Sequence, residues 1–226
     1  MTAPSVPLRI WITGGGTREP LDAVRWIGNV STGRMAATLA RTAAARGHAV
    51  TLFLAEHAVA PRSARVRVVR FVTTAQLRAA LRAERPSPDA ILHAAAVSDY
   101  APRPLRDKFA SGQAGWQLEL RPLPKIAPEL RRRHPAAALL LFKLESGIAP
   151  AELFRRATKT ARAAGADAIF ANLLEQVGAD HRGWCIDAAS GEATLATSRD
   201  AAARLLVRRC EALAATRRKL PAKRRR

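Results

Sequence analysis

The segment WITGGGTREPLDAVRWIGNVSTGRMA, residues 11–36, holds the features that decide the fold. A predicted buried strand, 8–14, runs into a glycine triplet, and glycine there lets the backbone approach a phosphate. The dinucleotide-binding fingerprint is not met, because Glu19 stands where its third glycine belongs. A long insertion follows before the next helix, for which Ser31 is the predicted N-cap. We therefore expect an α/β fold whose first loop is enlarged to serve a ligand.

Strand-like and helix-like segments alternate through the rest of the chain. The predicted strands are 8–14, 48–55, 65–74, 90–99, 137–146 and 166–172, and the predicted helices are 32–47, 75–84, 125–135, 150–165 and 199–213. Residues 183–197 read as a β-hairpin with its turn at Ser190 and Gly191. The pattern predicts an α/β fold, a Rossmann-like, mostly parallel sheet with helices on both faces and a small β-hairpin extension.

Length and composition indicate one folded unit with a basic tail. The 226 residues, 48% of them hydrophobic, suit one domain over residues 1–214. Residues 215–226 are rich in lysine and arginine, and their composition predicts disorder. The sequence has no run of eighteen apolar residues and no signal-like N-terminus, so we expect a cytoplasmic protein with no membrane partner. Cys185 and Cys210 are too few for a disulfide framework or a metal site.

The net charge of +20 comes from the tail and from Ala/Arg-rich helices. Solvated helix faces explain it better than a nucleic-acid groove, because no aromatic stacking platform accompanies the charge and Tyr100 is the only tyrosine. We expect at most weak contact with nucleic acid through the tail. The sign of the charge also suits small polyanionic ligands.

Two turns near the first strand could bind phosphate. Gly15 and Gly16 form the first, and Ser31, Thr32 and Gly33 at a helix N-terminus form the second. Between them, the Asn29 amide could hold a carbonyl or acyl group, and Arg25 could pair with a phosphate bidentately. Each of these residues alone is compatible with an ordinary surface loop or helix cap, and the combination favours a ligand site.

The fourth predicted strand is followed by a second group of candidate residues. Ala95 and Ala96 leave room for a ligand against the backbone, and the Asp99 carboxylate could bind a hydroxyl, an amide or hydrated Mg²⁺. Asp99 could equally be a turn or cap residue. The irregular residues 101–116, which we call the flap, carry Lys108, whose charge could neutralise a triphosphate. A solvated surface lysine is the simpler alternative.

Six motifs occur in one order: TGGGTREPLDAVRWIGNVSTGRMA, HAAAVSDYAP, DKFASG, LPKIAPEL, FKLESG and GADAIFAN. Together they resemble phosphopantothenoylcysteine synthetase, the phosphopantothenate–cysteine ligase of coenzyme A biosynthesis. The resemblance extends from about residue 8 to residue 210, and KFAS and FKLES look closer to its stand-alone bacterial type. Because the chain begins directly at the synthetase strand, the resemblance implies neither a decarboxylase nor a flavin.

The resemblance implies roles for the residues singled out above. Asn29 and Lys108 would be catalytic, and Arg25 would reach the phosphate of phosphopantothenate bound mainly in the other subunit of a homodimer. Asn29, Ala95, Ala96 and Asp99 would hold the pantothenate portion. The nucleotide would meet Gly15, Gly16, Ser31, Thr32, Gly33, Asp99, Pro124, Lys125, Ile126, Ala127 and Phe142. No metal ligand is assigned.

The implied reaction has two steps and three small-molecule substrates. The pantothenate carboxylate attacks the α-phosphate of a nucleoside triphosphate, CTP more readily than ATP, with Mg²⁺ bridging the phosphates. The cysteine amine then displaces the nucleoside monophosphate. No protein nucleophile is needed, which agrees with the absence of a Ser-His-Asp or Cys-His pattern and leaves His181 as a loop residue.

One departure from the family pattern leaves the nucleotide open. Thr160 and Ala164 stand where bifunctional members carry two lysines, and Lys159 and Arg162 are expected to face other directions on the helix. Three alternatives remain: a degenerate paralogue without activity, a nucleic-acid-binding protein, and a nicotinamide oxidoreductase. The last lacks a Tyr-x-x-x-Lys pair, since Pro104 follows Tyr100 by four residues.

Overall fold

The computed structural model describes residues 6–112, 114–178 and 181–219. Its strands are β1 (Arg9–Gly14), β2 (Arg18–Pro20), β3 (Trp26–Gly28), β4 (Ala49–Ala55), β5 (Val66–Phe71), β6 (Ala90–His93), β7 (Tyr100–Pro102), β8 (Leu120–Pro122), β9 (Ala138–Glu145), β10 (Ala168–Leu173), β11 (Gly183–Asp187) and β12 (Ala193–Ala196). Its helices are α1 (Arg34–Ala45), α2 (Thr74–Ala83), α3 (Ile126–Arg133), α4 (Pro150–Ala163) and α5 (Arg199–Lys219), with a 3-10 turn at Leu174–Gln176.

Eight of these strands form one sheet in the order β12-β11-β10-β9-β6-β1-β4-β5. The pairs from β10 across to β5 are all parallel, whereas β10–β11 and β11–β12 are antiparallel. The fold is therefore the predicted Rossmann-like α/β sheet, and β11 and β12 are the predicted hairpin extension. In its turn, the Asp187 carboxylate accepts hydrogen bonds from the backbone N–H groups of Ala189 and Ser190.

Helices cover both faces of the sheet, so the central strands are apolar throughout. Ile10, Trp11 and Ile12 of β1 are all at most 2% exposed. The Cβ position of Gly14 faces Ala36 of α1, whereas the Trp11 ring lies edge-on to His134, just after α3. Because neighbouring residues of a strand point to opposite faces, α1 and the end of α3 lie on opposite sides of the sheet.

Two segments end earlier than predicted because side chains and loops compete for the backbone. The segment predicted as strand 90–99 stops at His93 as a regular strand. Beyond it the Ala95 N–H donates to the Thr13 hydroxyl at 3.1 Å, and an isolated parallel bridge, in which Ala96 donates to the Gly15 carbonyl at 2.9 Å, keeps the segment beside the end of β1. The segment predicted as strand 65–74 stops at Phe71, because Thr73 caps α2 in a capping box with Gln76.

The predicted N-cap of the first helix is wrong. The cap residue is Gly33, in the left-handed conformation at φ 73°, and no side chain caps the helix. Ser31 lies two residues further out, and the Thr32 hydroxyl accepts from the Arg34 N–H at 3.5 Å. A glycine thus starts α1 where the sequence pattern favoured a serine.

The structure also differs from the prediction of a disordered tail from residue 215. Helix α5 continues to Lys219, and Arg217 pairs with Asp167 while Arg218 donates to Asp89 at 3.0 Å. Carboxylates at the amino ends of β10 and β6 therefore order residues that their composition alone predicted as disordered. The remainder of the predicted tail, 220–226, lies outside the described residues.

Two small hairpins are built from segments that were not predicted as strands. Strand β2 pairs with β3 inside the insertion after β1, and β7 pairs with β8 on either side of the flap. The backbone N–H of Leu105 in the flap donates to the Leu21 carbonyl at 2.9 Å, which joins the flap to the first hairpin. The insertion and the flap thus lie against each other beside the carboxyl ends of the central strands.

Candidate functional site

A cavity of about 640 Å³ opens at the carboxyl ends of β6 and β9, between these strands and the helices α3 and α4. This is the position where ligands bind in open α/β sheets. Nine of the predicted site residues line it: Asn29, Ala95, Ala96, Asp99, Pro124, Lys125, Ile126, Ala127 and Phe142. These nine residues come from four distant parts of the chain, which meet at one site.

The insertion contributes Asn29 to one wall of this cavity. Its Nδ2 donates to the carbonyls of Ala96 and Val97 at 3.4 and 3.2 Å, which places the amide against the small residues after β6. The side chain of Thr17 supports the same segment, because its hydroxyl accepts the Ser98 N–H at 2.9 Å. The amide oxygen of Asn29 remains outside these bonds and can accept from a ligand.

The predicted phosphate turns lie beside the cavity and do not line it. Gly15 and Gly16 run parallel to Ala96 through a β-bridge at Gly16, and Gly33 approaches the Gly15 backbone. Ser31 accepts a 3.3 Å hydrogen bond from His57 through its carbonyl, and it is also absent from the cavity wall, as is Thr32. A ligand in the cavity must extend past Ala96 to reach these five residues.

The packing of Gly16 gives the glycine triplet a structural role. A Cβ atom on Gly16 would lie 2.1 Å from the Asn29 carbonyl oxygen, which is far inside van der Waals contact. Glycine at this position therefore allows the insertion to pack directly on the first loop. The sequence pattern, read as a phosphate-binding signal, did not predict this contact.

The Asp99 carboxylate is held by a lysine of the same cavity. Lys125 Nζ lies 2.5 Å from Asp99 Oδ1, and both side chains are more than half exposed. Lys125 is the residue just before α3, so the pair joins the segment after β6 to the start of that helix. A ligand hydroxyl can replace Lys125 beside Asp99, and a ligand phosphate can replace Asp99 beside Lys125, at little cost, because exposed ion pairs contribute about 0–1 kcal/mol.

Neither Arg25 nor Lys108 lines the cavity. Arg25 contacts the flap, and Lys108 belongs to it. The Arg25 guanidinium binds Asp22 through Nε and Nη2 and donates to the carbonyl of Phe109 at 2.7 Å. Lys108 is exposed and directly precedes Phe109 in the flap. The structure therefore brings these two predicted residues close to each other, on the side of the site formed by the insertion.

Three basic or imidazole side chains of the cavity were not predicted: His93, Lys143 and Lys159. The expectation that Lys159 faces elsewhere is wrong, since it lines the cavity with Thr160, Ala163 and Ala164. Residues 159 and 163 are neighbours at the i, i+4 spacing of a helix, and this spacing could have revealed the position of Lys159. Arg162 does face away, donating to the Ala188 carbonyl at 2.8 Å.

His93 is a neutral hydrogen-bonding group of the cavity. The Thr13 hydroxyl accepts the Ala95 N–H at 3.1 Å and shares a hydrogen bond with His93 Nδ1 at 2.8 Å. Burial lowers the pKa of His93 from 6.5 to about 4, so the ring stays uncharged at neutral pH.

We expect this buried imidazole to make the protein less stable as the pH falls from 6.5 to 4. In that window the unfolded chain binds a proton at residue 93 and the native chain does not, so the free energy of unfolding falls by up to about 1.4 kcal/mol per pH unit. Urea unfolding of the wild type and of His93→Gln at pH 7, 6 and 5 measures the difference. Parallel pH dependences of the two proteins would contradict the assigned burial of the ring.

His181 is buried, stacks near Phe170 with ring centroids 6.4 Å apart, and does not line the cavity. Within residues 6–112, 114–178 and 181–219, no cluster of three or more His, Cys, Asp or Glu side chains could hold a metal ion. In the same residues, no helix combines the length and apolar character needed to cross a membrane.

Comparison with known proteins identifies the family. The family model described as DNA/pantothenate metabolism flavoprotein C-terminal domain matches residues 7–213. The chain belongs to this family. The sequence resemblance to phosphopantothenoylcysteine synthetase is thereby confirmed at the level of the family, and all six motifs that carried it lie inside the matched range.

A curated relative supports this membership in the DNA/pantothenate metabolism flavoprotein C-terminal domain family, and two solved structures are similar to this chain. The coenzyme A biosynthesis bifunctional protein CoaBC of Thermococcus kodakarensis is 35% identical over 175 residues, 76% of this chain and 43% of that protein. The structure of the DNA/pantothenate metabolism flavoprotein from Streptococcus pneumoniae has a TM-score of 0.84 at 25% identity, covering 91% of this chain and 99% of that one. A structure of the C-terminal domain of CoaBC shares the fold, with a TM-score of 0.76 at 24% identity over 92% of this chain and 96% of that one.

The chain spans less than half the length of the CoaBC relative. The matched part of the flavoprotein model is its C-terminal domain, so the word flavoprotein assigns no flavin to these residues. Our expectation that this chain needs no flavin stays a prediction, as does its stand-alone type.

Proposed function

We propose that this protein is a ligase that joins 4'-phosphopantothenate to L-cysteine through an acyl-nucleotide intermediate in coenzyme A biosynthesis. The observation that carries the proposal is the cavity after β6 and β9, where Asn29 meets Ala95 and Ala96 opposite Lys125, Lys143 and Lys159. Small residues leave space for an acyl chain, and the lysines suit phosphates and an anionic nucleotide. The CoaBC relative is named for the same pathway. An enzyme of this pathway fits the expected cytoplasmic location.

In the first step, a carboxylate oxygen of phosphopantothenate bonds to the α-phosphorus of the nucleotide, and pyrophosphate leaves. In the second, the cysteine nitrogen bonds to the acyl carbon, the nucleoside monophosphate leaves, and the amine releases a proton. The protein aligns the reactants and neutralises negative charge, and supplies no nucleophile. Asn29 holds the pantothenate portion, because its Nδ2 fixes it on Ala96 and Val97 while its amide oxygen accepts a hydroxyl or amide N–H of the substrate. Lys108 neutralises the phosphates when the nucleotide reaches the flap.

The donor set of the site fits Mg²⁺ that enters with the nucleotide. Mg²⁺ sites of this kind use one or two carboxylates together with substrate phosphates, and Asp99 is the carboxylate that lines the cavity. When bound, Mg²⁺ neutralises part of the charge on the phosphate oxygens. Lys125 releases Asp99 for this role, because their ion pair is exposed.

The identity of the nucleotide depends on α4. Thr160 and Ala164 line the cavity, which agrees with their expected place near the nucleotide, and Lys159 restores one positive charge to that wall. We propose CTP as the co-substrate, with ATP as the alternative that the experiment below distinguishes.

We propose that two copies share the site through the insertion. Val24, Trp26, Ile27 and Val30 are exposed there by 38–100%, and soluble monomers seldom expose so many large apolar side chains in one place. Arg25 lies within this surface, and its Nη1 takes no part in the contacts with Asp22 and Phe109. It could therefore bind the phosphate of a substrate held by the second copy.

We expect Trp26→Glu to weaken this dimer by about tenfold or more, since exposed aromatic residues dominate interface energies. Sedimentation equilibrium across a range of protein concentrations measures the dissociation constant. Val59→Glu, at another apolar residue that is 80% exposed, is the matched control. A wild-type protein that stays monomeric, or equal weakening by both substitutions, would contradict the proposed interface.

Pyrophosphate release tests the function as a whole. The purified protein is incubated with phosphopantothenate and Mg²⁺, with CTP or ATP, and with or without cysteine. The ligase releases pyrophosphate with one nucleotide, and forms nucleoside monophosphate and phosphopantothenoylcysteine once cysteine is present. No release from folded protein with either nucleotide would favour the degenerate paralogue and reject the ligase.

A further inference from the structure

A buried carboxylate joins the insertion to the flap. The Asp22 side chain is 0% exposed, and its two oxygens bind different parts of the chain. Oδ1 accepts the backbone N–H groups of Val24 and Arg25 at 2.8 and 2.7 Å, which closes a local turn. Oδ2 accepts the N–H of Phe109 at 3.1 Å, 87 residues away in the flap. One oxygen thus shapes the insertion, and the other holds the flap.

The same carboxylate fixes Arg25, which binds the flap a second time. Arg25 Nε and Nη2 lie 2.9 and 2.7 Å from Asp22 Oδ2, and Nη2 also donates to the Phe109 carbonyl at 2.7 Å. The guanidinium lies 4.8 Å from the centre of the Trp116 ring, which stacks on Phe109 with centroids 4.4 Å apart. Cation–π and stacking contacts therefore add to the hydrogen bonds.

The charge of Asp22 is suited to this role. Burial raises the pKa of its carboxyl, but the hydrogen bonds from Val24, Phe109 and Arg25 outweigh burial, so the pKa lies well below its usual value. The carboxylate is therefore ionised at every pH at which the protein would work. Ionised, it accepts hydrogen bonds from both sides and donates none.

Phe109 is consequently held at both its N–H and its carbonyl, and Lys108 is the residue before it. We propose that Asp22 is a positioning residue, which acts through Arg25 and Phe109 to hold Lys108 in place for the nucleotide phosphates. The proposal rests on the ligase function for the role of Lys108, whereas the anchoring of the flap does not depend on it. Asp22 would thereby fix the positions of both Arg25, which is proposed to bind the substrate phosphate, and Lys108, which is proposed to neutralise the nucleotide phosphates.

The substitution Asp22→Asn tests the roles of the two carboxylate oxygens separately, because it replaces one of them with an amide nitrogen. An asparagine side chain keeps an acceptor for the Val24 and Arg25 turn, since asparagine forms the same turn as aspartate. Its amide nitrogen would face the N–H of Phe109 and the Arg25 guanidinium, where donor meets donor. We expect backbone amide exchange of residues 105–112 to become about tenfold faster or more, as local opening of the flap becomes easier.

Hydrogen exchange measured without substrate decides the anchoring. Asp200→Asn is the matched control, since Asp200 pairs with Arg41 at 3.8 Å on the surface and should leave exchange in the flap unchanged. Trp116→Leu weakens the anchor from the flap side without touching the turn, and should also accelerate exchange. Flap exchange at the wild-type rate in Asp22→Asn and Trp116→Leu would overturn the proposal, whatever the enzymatic activity.

A double-mutant cycle tests the action through Lys108. We expect Asp22→Asn to lower kcat for pyrophosphate release about tenfold with a smaller change in KM, and to have less than about a twofold effect in a Lys108→Ala background. Additive effects would overturn the positioning role and leave Asp22 a structural residue. A wild-type protein that releases no pyrophosphate would reject the ligase function, while the exchange experiment would still decide the anchoring of the flap.

Discussion

Lys108→Ala should lower pyrophosphate release by about 100-fold or more, because in the proposed mechanism this charge stabilises the phosphates in the transition state. Such a loss should appear mainly in kcat, since the interaction strengthens as charge develops on the leaving pyrophosphate. The measurement is the steady-state rate of pyrophosphate formation with CTP, phosphopantothenate and Mg²⁺.

Arg106→Ala is the control for Lys108→Ala. Both side chains are exposed cations of the flap, two residues apart, so they change the net charge of the flap equally. Only Lys108 adjoins Phe109, whose backbone is held at both ends by Asp22 and Arg25. Equal losses in the two variants would show that the flap acts through its overall charge, which would contradict a specific role for Lys108.

Asp167→Ala should destabilise the fold by about 3–5 kcal/mol, because it leaves two largely buried arginines without their counterion. The Asp167 carboxylate binds Arg131 at 2.8 Å and also Arg217, and it accepts the Leu139 N–H at 2.8 Å. The three side chains in this cluster are only 14–19% exposed. Thermal unfolding should show a drop in Tm of about 6–20 °C for a domain of this size.

The matched control for Asp167→Ala is Asp200→Ala. Asp200 also pairs with an arginine, at 3.8 Å, but both side chains are at least 60% exposed. Exposed pairs contribute about 0–1 kcal/mol, so Tm should change little. If the two substitutions lowered Tm equally, the cluster of Asp167, Arg131 and Arg217 would not be what holds the end of α5 in place.

The sequence predicted the sheet well because burial on both faces leaves a strong pattern. The runs that became β1, β4, β9 and β10 are almost continuously apolar, and this pattern is a property of the local sequence. Strands β2, β3, β7 and β8 have three residues each and could not be predicted, since they depend on the flap and the insertion packing together. Arg217 likewise reads as part of a disordered tail until Asp167 is placed beside it.

The sequence predicted the site residues that follow a strand or belong to a recognisable motif. It missed the residues that only three-dimensional packing brings to the cavity. Asn29, Ala95, Asp99 and Phe142 were found because they follow strands or belong to recognisable motifs, and they line the cavity. Nothing in the neighbourhood of His93 distinguishes it from a buried strand residue, because its role depends on a hydrogen bond shared with Thr13, 80 residues away.

The contact between Gly16 and Asn29 has a consequence for mutational tolerance. Any side chain at position 16 would clash with the Asn29 carbonyl whether or not a nucleotide is bound, since the Cβ atom alone would lie 2.1 Å away. A library screened only for correctly folded protein should therefore already reject substitutions at this glycine. A loss of folding on substitution of Gly16 therefore reports how the insertion packs on the first loop. Lys125 and Lys159 line the open cavity, so a loss of activity there that appears only under selection for catalysis reports contact with the ligand.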